Sequence, residues 1–493
     1  MTVSATLRDR AVRGMMWAGL TQAVSKLTTA LVMVALARLL VPSDFGLFAA
    51  GLLMINYLDR VKDLGIGAGL IYRREEWSRL ASTGLPISLV SAGVLAGLAY
   101  LSAPLAASVF HEPAVADLVR VLSVALFISG LAVVPESKLR RELDFRRRLL
   151  PEGVAAIVKG GVAIGLAMDG AGFWALVWGQ LAGTAVQSLL YWRLAGWRPT
   201  WGWNPDDARA LLRYGLPSAL VGILAVLHEN LDYIIVGHRL DAEQLGYYVM
   251  GFRIPELVVI GICIVTGQVL FPAFSRLQDS PRELAAGYLS AVRYISLATL
   301  TAAAVIAVLA DEIVLALLGA EWEATIPVLR LLALFSAVYS LSFHAGEIYK
   351  ATGRPMLLNW IALVKLAVFA PALWWAAGHS IVAVAWAVLL VNVGLTAMKL
   401  AIVVRLLRIS YFDVLRAFRA AVLAATVVAA VVTAAGVPLS PLPPGWRLVL
   451  LSAVALATIG VAVRVLVPEI AQAVAARLRR RTAAPMPAAR GRR

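Results

Sequence analysis

One cysteine, Cys263, stands among 493 residues. A disulfide framework needs pairs and a thiolate metal cluster needs several ligands, so both are excluded. The five histidines, at positions 111, 228, 238, 344 and 379, show no metal-ligand spacing. No G-x-x-x-x-G-K-[ST] segment occurs, which excludes a P-loop ATP-driven motor in this chain. No motif calls for a cofactor or a metal. Charge is scarce: 15% of residues are Asp, Glu, Lys or Arg, against about 25% in an ordinary soluble domain. Acids are the rarer sign, 29 against 45 Lys and Arg.

Apolar runs of spanning length fill the space that charge leaves, and 61% of the residues are hydrophobic. A helix crosses a bilayer with roughly 20 apolar residues. Fourteen such segments are expected, at 14–36, 45–71, 80–100, 114–134, 149–167, 172–192, 212–237, 245–274, 285–308, 324–348, 356–377, 380–403, 417–436 and 446–466. Pro and Gly mark the breaks, as in Val41-Pro42-Ser43-Asp44, Asp169-Gly170, Gly353-Arg354-Pro355 and the Pro-rich stretch 438–445. Asp44 is the expected N-cap of the second span. The run 14–36 is too long for a signal-peptide core and holds Lys26, so it reads as a retained first span.

Basic residues test the count. Alternate connections carry 32 Lys and Arg with the two termini, and the intervening connections carry only Arg38, Arg239 and Arg447. By the positive-inside rule an even number of spans follows, with N- and C-termini cytoplasmic. The net charge of +16 is therefore mostly a property of one face. It points to anionic membrane lipids at the cytoplasmic face and not to nucleic acid. Residues 471–493 read as a basic, disordered cytoplasmic tail.

The chain repeats itself. Arg38 to Phe48, through Phe45-Gly46, is echoed by Arg239 to Tyr248, through Leu245-Gly246; Glu112 to Leu122 is echoed by Glu321 to Leu332. The expected architecture is all-α: a polytopic membrane protein of about fourteen transmembrane helices, with two pseudo-symmetric six-helix lobes at 1–200 and 201–410. Two additional helices follow at 411–470. Parallel repeats of this kind place a substrate site between the halves.

Charge inside the spans is the functional signal. On a helix over 45–71, Asn56, Asp59, Arg60 and Asp63 share an arc about 100° wide with Lys62 at its edge. His228, Glu229 and Asp232 share a similar arc in the seventh span. Arg253 and Glu256 flank Pro255, where a kink is expected, in the eighth. A charge at mid-bilayer costs about 2.5–3.5 kcal/mol on insertion scales, so such residues face protein or a wet cavity. The pairs Asp59–Lys62, Arg60–Asp63 and Arg253–Glu256 are also spaced to neutralise one another as structural cement. Lys26 and Lys365 sit mid-span without a local acid, as does Lys159. Arg120 and Arg330, at matching places in the repeats, read as structural; Lys399 and Arg464 read as snorkelling to the interface. Gly65/Gly69, Gly161/Gly165 and Gly179/Gly183 allow close helix packing.

The segments 39–46 (LLVPSDFG), 63–71 (DLGIGAGLI), Leu329-Arg330-Leu331-Leu332 and 351–355 (ATGRP) resemble the oligosaccharide flippase (Wzx-like, polysaccharide export) family of the multidrug/oligosaccharidyl-lipid/polysaccharide exporter superfamily. The resemblance implies two six-helix lobes and alternating access in the bacterial cytoplasmic (inner) membrane. It implies no catalysis. Its implied cargo is an undecaprenyl-pyrophosphate-linked oligosaccharide, passed to the outer leaflet for capsule, exopolysaccharide or O-antigen (lipopolysaccharide) assembly. A polysaccharide polymerase and glycosyltransferases are its implied working partners. The implied substrate-binding residues are Lys26, Asp59, Arg60, Lys62, Asp63, Arg253, Glu256 and Lys365, with His228, Glu229 and Asp232 as ion-coupling candidates. An ion-coupled multidrug or organic-cation antiporter and a lipid II flippase of the same superfamily stay open as alternatives. A membrane-embedded glycan enzyme is disfavoured because every expected outer connection is short, the longest being about 101–113.

Overall fold

A computed structural model describes residues 28–60, 62, 64–72, 77–142, 144–199, 201–213, 215 and 230–469. Among the described residues every regular element is helical. The first half runs α1 (Thr28–Ala37), α2 (Pro42–Asp59), α3 (Ile66–Tyr72), α4 (Trp77–Phe110), α5 (Ala114–Leu131), α6 (Val133–Arg141), α7 (Phe145–Met168), α8 (Phe173–Ala195) and α9 (205–213). The second runs α10 (Leu231–Arg239), α11 (Ala242–Pro255), α12 (Gly261–Arg276), α13 (Pro281–Val308), α14 (Ala310–Ile313), α15 (Thr325–Phe343), α16 (Ala345–Ala351), α17 (Met356–Ala377) and α18 (Ile381–Leu407). Two further helices close the chain, α19 (Tyr411–Gly436) and α20 (Pro444–Leu466).

Among the described residues, ten helices or continuous helix pairs are long and apolar enough to cross a membrane. Each coincides with an expected span, from 80–100 through 446–466. The expected span 172–192 is α8. The first and seventh spans lie mostly outside the described residues, which include α1 at the end of the first, and residues 212, 213 and 215 and most of α10 at the two ends of the seventh. Large apolar side chains face outward along these helices, as Leu101, Leu456 and Val465 do at 76%, 70% and 70% exposure. Water would penalise that surface, whereas hydrocarbon does not.

The second expected span is not one helix. It stops at Asp59, and Leu64 (φ 47°) and Gly65 (φ 71°) turn the chain before α3. Glycine takes the left-handed conformation without penalty. It also allows a close approach, since a Cβ on Gly65 would stand 2.4 Å from Gly215 Cα. The arc drawn through Asp59 and Asp63 therefore does not continue along one helix. Asp44 is likewise not the N-cap. Val41 holds that place and Pro42 follows at the first helical position, while Asp44 reaches back to accept the Val41 N–H at 3.3 Å. The same carboxylate accepts the Phe173 N–H at 3.0 Å, so one acid serves the starts of both α2 and α8. Where a kink was expected, Pro255 ends α11 and a π-helical turn, Glu256–Ile260, leads into α12. Proline lacks the N–H that a regular ladder needs there.

By contact the chain groups into two compact units. Unit 1 comprises Met1–Met250, Leu318–Ala324 and Val368–Val384; unit 2 comprises Gly251–Leu317, Thr325–Ala367 and Ala385–Arg493. In unit 1, Ile66, Leu70, Leu80, Leu85, Val134 and Leu211 form a core joining α3, α4, α6 and α9. Helices α7 and α8 touch closely where Gly179 and Gly183 meet Lys159. No described atom lies within 4 Å of a Cβ built on Gly161 or Gly165, so that second small-residue pair does not pack in this way. In unit 2, Phe274, Tyr288, Tyr349, Val403 and Phe418 form one core, and Leu300, Ala421, Ala424 and Ala462 join α13, α19 and α20 in another.

Two of the echoed sequence segments meet inside unit 1. Helices α2 and α11 start at Pro42 and Ala242, and their matching glycines cross backbone to backbone. A Cβ on Gly46 would stand 1.6 Å from the Ala242 carbonyl oxygen, and one on Gly246 would stand 1.9 Å from the Pro42 carbonyl oxygen. Trp322 covers the crossing. Its indole N–H donates to the Ala37 carbonyl at 2.9 Å, and its ring meets Phe45 and Tyr247 edge-on at 5.2 and 6.2 Å.

Alanine separates this crossing from ordinary helical glycines. Gly46→Ala is expected to lose about 1–3 kcal/mol through overpacking. Gly161→Ala, in open space, should gain up to about 1 kcal/mol from helix propensity. Thermal unfolding of the two purified variants against wild type measures both; equal shifts would contradict the packing at Gly46.

Candidate functional site

Four of the expected site residues, Lys26, Asp63, His228 and Glu229, lie outside the described residues. The rest fall into separate groups in the two units. In unit 1, Asp59 closes α2. Its Oδ1 accepts from Lys62 Nζ at 2.7 Å and lies 3.0 Å from Ser129 Oγ of α5. The Ser129 hydroxyl has one proton to share between that carboxylate and the Leu126 carbonyl at 2.8 Å. The Asp59–Lys62 pair thus forms, but across the end of a helix rather than along its face. Arg60 is the C-cap residue of α2 and is exposed.

Asp232 sits in the first turn of α10 and is buried, 8% exposed. The Tyr248 hydroxyl donates to its Oδ2 at 2.8 Å, and Tyr57 of α2 lies within range of its charge. Tyr233 packs edge-on against Tyr248 at 5.7 Å. A buried carboxylate needs such donors, and the N-terminal end of a helix favours its negative charge. Lys159 of α7 donates to Gln180 Oε1 of α8 at 2.5 Å and lies 6.0 Å from the centre of the Phe48 ring. At the far end of α10, Arg239 stacks on Trp374 at 4.7 Å, and His238 Nδ1 lies 2.6 Å from the Val109 carbonyl oxygen.

In unit 2, Arg253 Nη1 donates to Glu256 Oε2 at 2.9 Å, the pair flanking Pro255 and both side chains about two-fifths exposed. Lys365 of α17 interacts electrostatically with Lys399 of α18. Lys399 does not snorkel, because its ammonium lies over the Tyr339 ring at 5.4 Å. His344, buried at the joint of α15 and α16, shares a 3.2 Å hydrogen bond with Thr266 Oγ1. The arginines read as structural are paired: Arg120 with Asp117 at 2.8 Å, and Arg330 with Asp311. Arg447 pairs with the buried Glu312 at 2.5 Å.

The structure thus joins Asp59 to Lys62 and Arg253 to Glu256, and adds residues that the sequence reading passed over. Ser129 and Gln180 carry no signal in a single sequence, since neutral polar residues in spans are common. Tyr248 lies in the repeated motif and could have been found there. Lys399 was visible as a lysine within an apolar run.

The fold is that of helical membrane transporters. A structure of the lipid II flippase MurJ in an inward closed conformation superposes with a TM-score of 0.73, covering 93% of this chain and 99% of that one at 11% identity. An inward-facing multidrug resistance MATE family transporter of the MOP superfamily gives a TM-score of 0.63, with 78% and 95% coverage at 18% identity. In sequence, the family model described as "Polysaccharide biosynthesis protein" matches residues 35–327, more than half of the chain. The protein belongs to that polysaccharide biosynthesis family. Its relatives include the lipopolysaccharide biosynthesis protein WzxC of Escherichia coli (strain K12), 25% identical over 75% of each chain. The teichuronic acid biosynthesis protein TuaB of Bacillus subtilis (strain 168) is 25% identical over 68% of this chain and 70% of its own. The succinoglycan biosynthesis transport protein ExoT of Rhizobium meliloti (strain 1021) is 26% identical over 67% of each.

The tyrosine–aspartate contact has a measurable weight. Tyr248→Phe takes one donor from a buried carboxylate and is expected to cost about 1–3 kcal/mol in thermal unfolding. Asp232→Asn keeps an acceptor for Tyr248 and should cost less than Tyr248→Phe; the reverse order would show that the negative charge of Asp232 is stabilised by more than the Tyr248 hydroxyl.

Proposed function

We propose that this protein is a flippase that moves undecaprenyl-pyrophosphate-linked oligosaccharide units from the cytoplasmic to the outer leaflet of the bacterial inner membrane, for surface polysaccharide assembly. Both termini are then cytoplasmic, and the six-helix repeats at 1–200 and 201–410 alternate in access. One observation carries the reading: charged side chains sit in the middle of apolar helices in a member of a polysaccharide biosynthesis family. Such residues are expensive in a bilayer and are kept where a polar cargo passes.

A pyrophosphate cannot cross hydrocarbon unaided. Fixed cations replace its lost water, and one ion pair at ~4 Å gains about 4 kcal/mol at an effective dielectric of ~20, before desolvation. Lys365 and Lys399 suit this task, because two ammonium groups that repel each other are relieved when an anion bridges them. Arg253, salt-bridged to Glu256, exchanges that partner for the cargo phosphate. Lys26, Arg60 and Lys62 are the cations offered by unit 1. Asp59, Asp63 and Glu256 accept hydrogen bonds from sugar hydroxyls. Asp232, with His228 and Glu229, is the place for a coupling ion. The chain performs no bond-breaking step in this cycle, and the prenyl tail stays in lipid throughout.

A leaflet-accessibility assay in reconstituted vesicles tests the roles. Lys365→Ala combined with Lys399→Ala is expected to slow translocation of a prenyl-diphosphate-linked sugar about tenfold, the loss of roughly 1.4 kcal/mol at the barrier. Unchanged rates in that variant and in Arg253→Ala would refute the cation role. Deleting the gene should abolish one surface polysaccharide and accumulate its lipid-linked precursor. Drug sensitivity without polysaccharide loss would mark an antiporter instead, and loss of viability a lipid II flippase.

A further inference from the structure

Beyond the transport path, unit 2 holds a cationic groove of about 500 Å³ where α13, α19 and the end of α20 come together. Arg293 enters it from α13, and Arg416 and Arg419 from α19; Asp413 is the acid of the lining, and Leu289 and Leu466 are apolar. Spacing of three places Arg416 and Arg419 on one face of α19. Each group has a defined state. Arg293 Nη2 lies 3.5 Å from Glu469 Oε2 and its guanidinium lies beside the Tyr294 ring at 5.8 Å. Asp413 accepts the Ser410 N–H at 3.1 Å as part of the α19 capping box. Arg416 lies over the exposed Phe412 ring at 5.2 Å. Arg419 has no ion pair among the described residues.

We propose that this groove is a binding site for one anionic glycerophospholipid of the membrane. Three arginines, Arg293, Arg416 and Arg419, stand with two carboxylates, Asp413 and Glu469, around the groove, so its net formal charge is a single positive charge. A phosphodiester headgroup carries a single negative charge and matches it. A prenyl diphosphate carries more negative charge than the groove can balance. Arginine forks bind phosphate oxygens in pairs, which a lysine point charge does not. Leu289, Leu466 and the alanines between them provide a floor for the first carbons of an acyl chain. The bound lipid would tie the last helix pair to α13, because its headgroup touches α13 and α19 together.

The site predicts more than the general attraction of a basic membrane face for anionic lipid. Arg405 and Arg408 lie at the same end, immediately before α19, but outside the groove. The test is native mass spectrometry of full-length protein released from nanodiscs of mixed phosphatidylglycerol and phosphatidylcholine. Wild type should retain one phosphatidylglycerol. R416Q with R419Q should reduce that occupancy about tenfold, while R405Q with R408Q should leave it unchanged. R416K with R419K, which keeps the charge, should retain part of it and guards against a folding defect; the thermal midpoint should rise with added phosphatidylglycerol in wild type and in R405Q with R408Q, and not in R416Q with R419Q. Equal losses in the two glutamine pairs would overturn the proposal, as would no loss in either. Displacement of phosphatidylglycerol by an equal concentration of a prenyl diphosphate would overturn it in favour of a cargo site. The readout is lipid retention and not transport, so either outcome leaves the flippase reading to be judged by its own assay.

Discussion

The backbone crossing of α2 and α11 is the contact on which unit 1 depends. Two glycines, one from each copy of the repeat, let two helices touch without side chains between them. Close approach of this kind is how helices associate in lipid, where there is no hydrophobic gain from pairing two apolar surfaces. Around it the other contacts are satisfied in turn: Trp322 donates to the chain just ahead of α2, and Asp44 carries the N-terminal ends of α2 and α8 together. Because the crossing uses both repeats, α10 and the start of α11 group with the first half of the chain rather than with the helices that follow them.

The second constraint is electrostatic. Several of the charges described within the spans have an identifiable answer: an acid beside a base, a phenol beside an acid, a ring beneath an ammonium. The Asp59–Lys62 and Arg253–Glu256 pairs are not deep cement, since their acids are about two-fifths exposed. Partly solvated pairs hold little net energy. They can therefore open and re-form with small cost, which is what residues meeting a passing headgroup must do. Arg447 with the buried Glu312 is the opposite case, an ion pair enclosed in protein between α20 and α14. Removing one partner there would strand a charge.

Much of this was legible from spacing alone. Apolar runs placed ten spans, because hydrophobic length is a strong and local signal. The repeat was legible because Gly46 and Gly246 sit in recognisably similar motifs, though nothing in the sequence says that they touch. The break after Asp59 was missed: Leu64 is an apolar residue in a left-handed conformation, and helical periodicity runs through it undisturbed. Asp44 was placed one role away from its true one, because Pro42 occupies the first helical position and pushes the acid inside. Lys399 was misread because a lysine near a helix end usually reaches for water, and only the neighbouring α15 supplies Tyr339 in its path.

By itself, then, the chain's composition and order of apolar and basic segments decided that it lives in a membrane, that it is helical, and that short motifs recur about 200 residues apart. Those properties follow from solvation of single segments, which each segment settles locally. Tertiary structure alone decided which charges meet, where a span breaks, and that three arginines from two helices line one groove with a helix end at its edge. Those are properties of pairs of segments distant in sequence, and their energies exist only after the helices have packed.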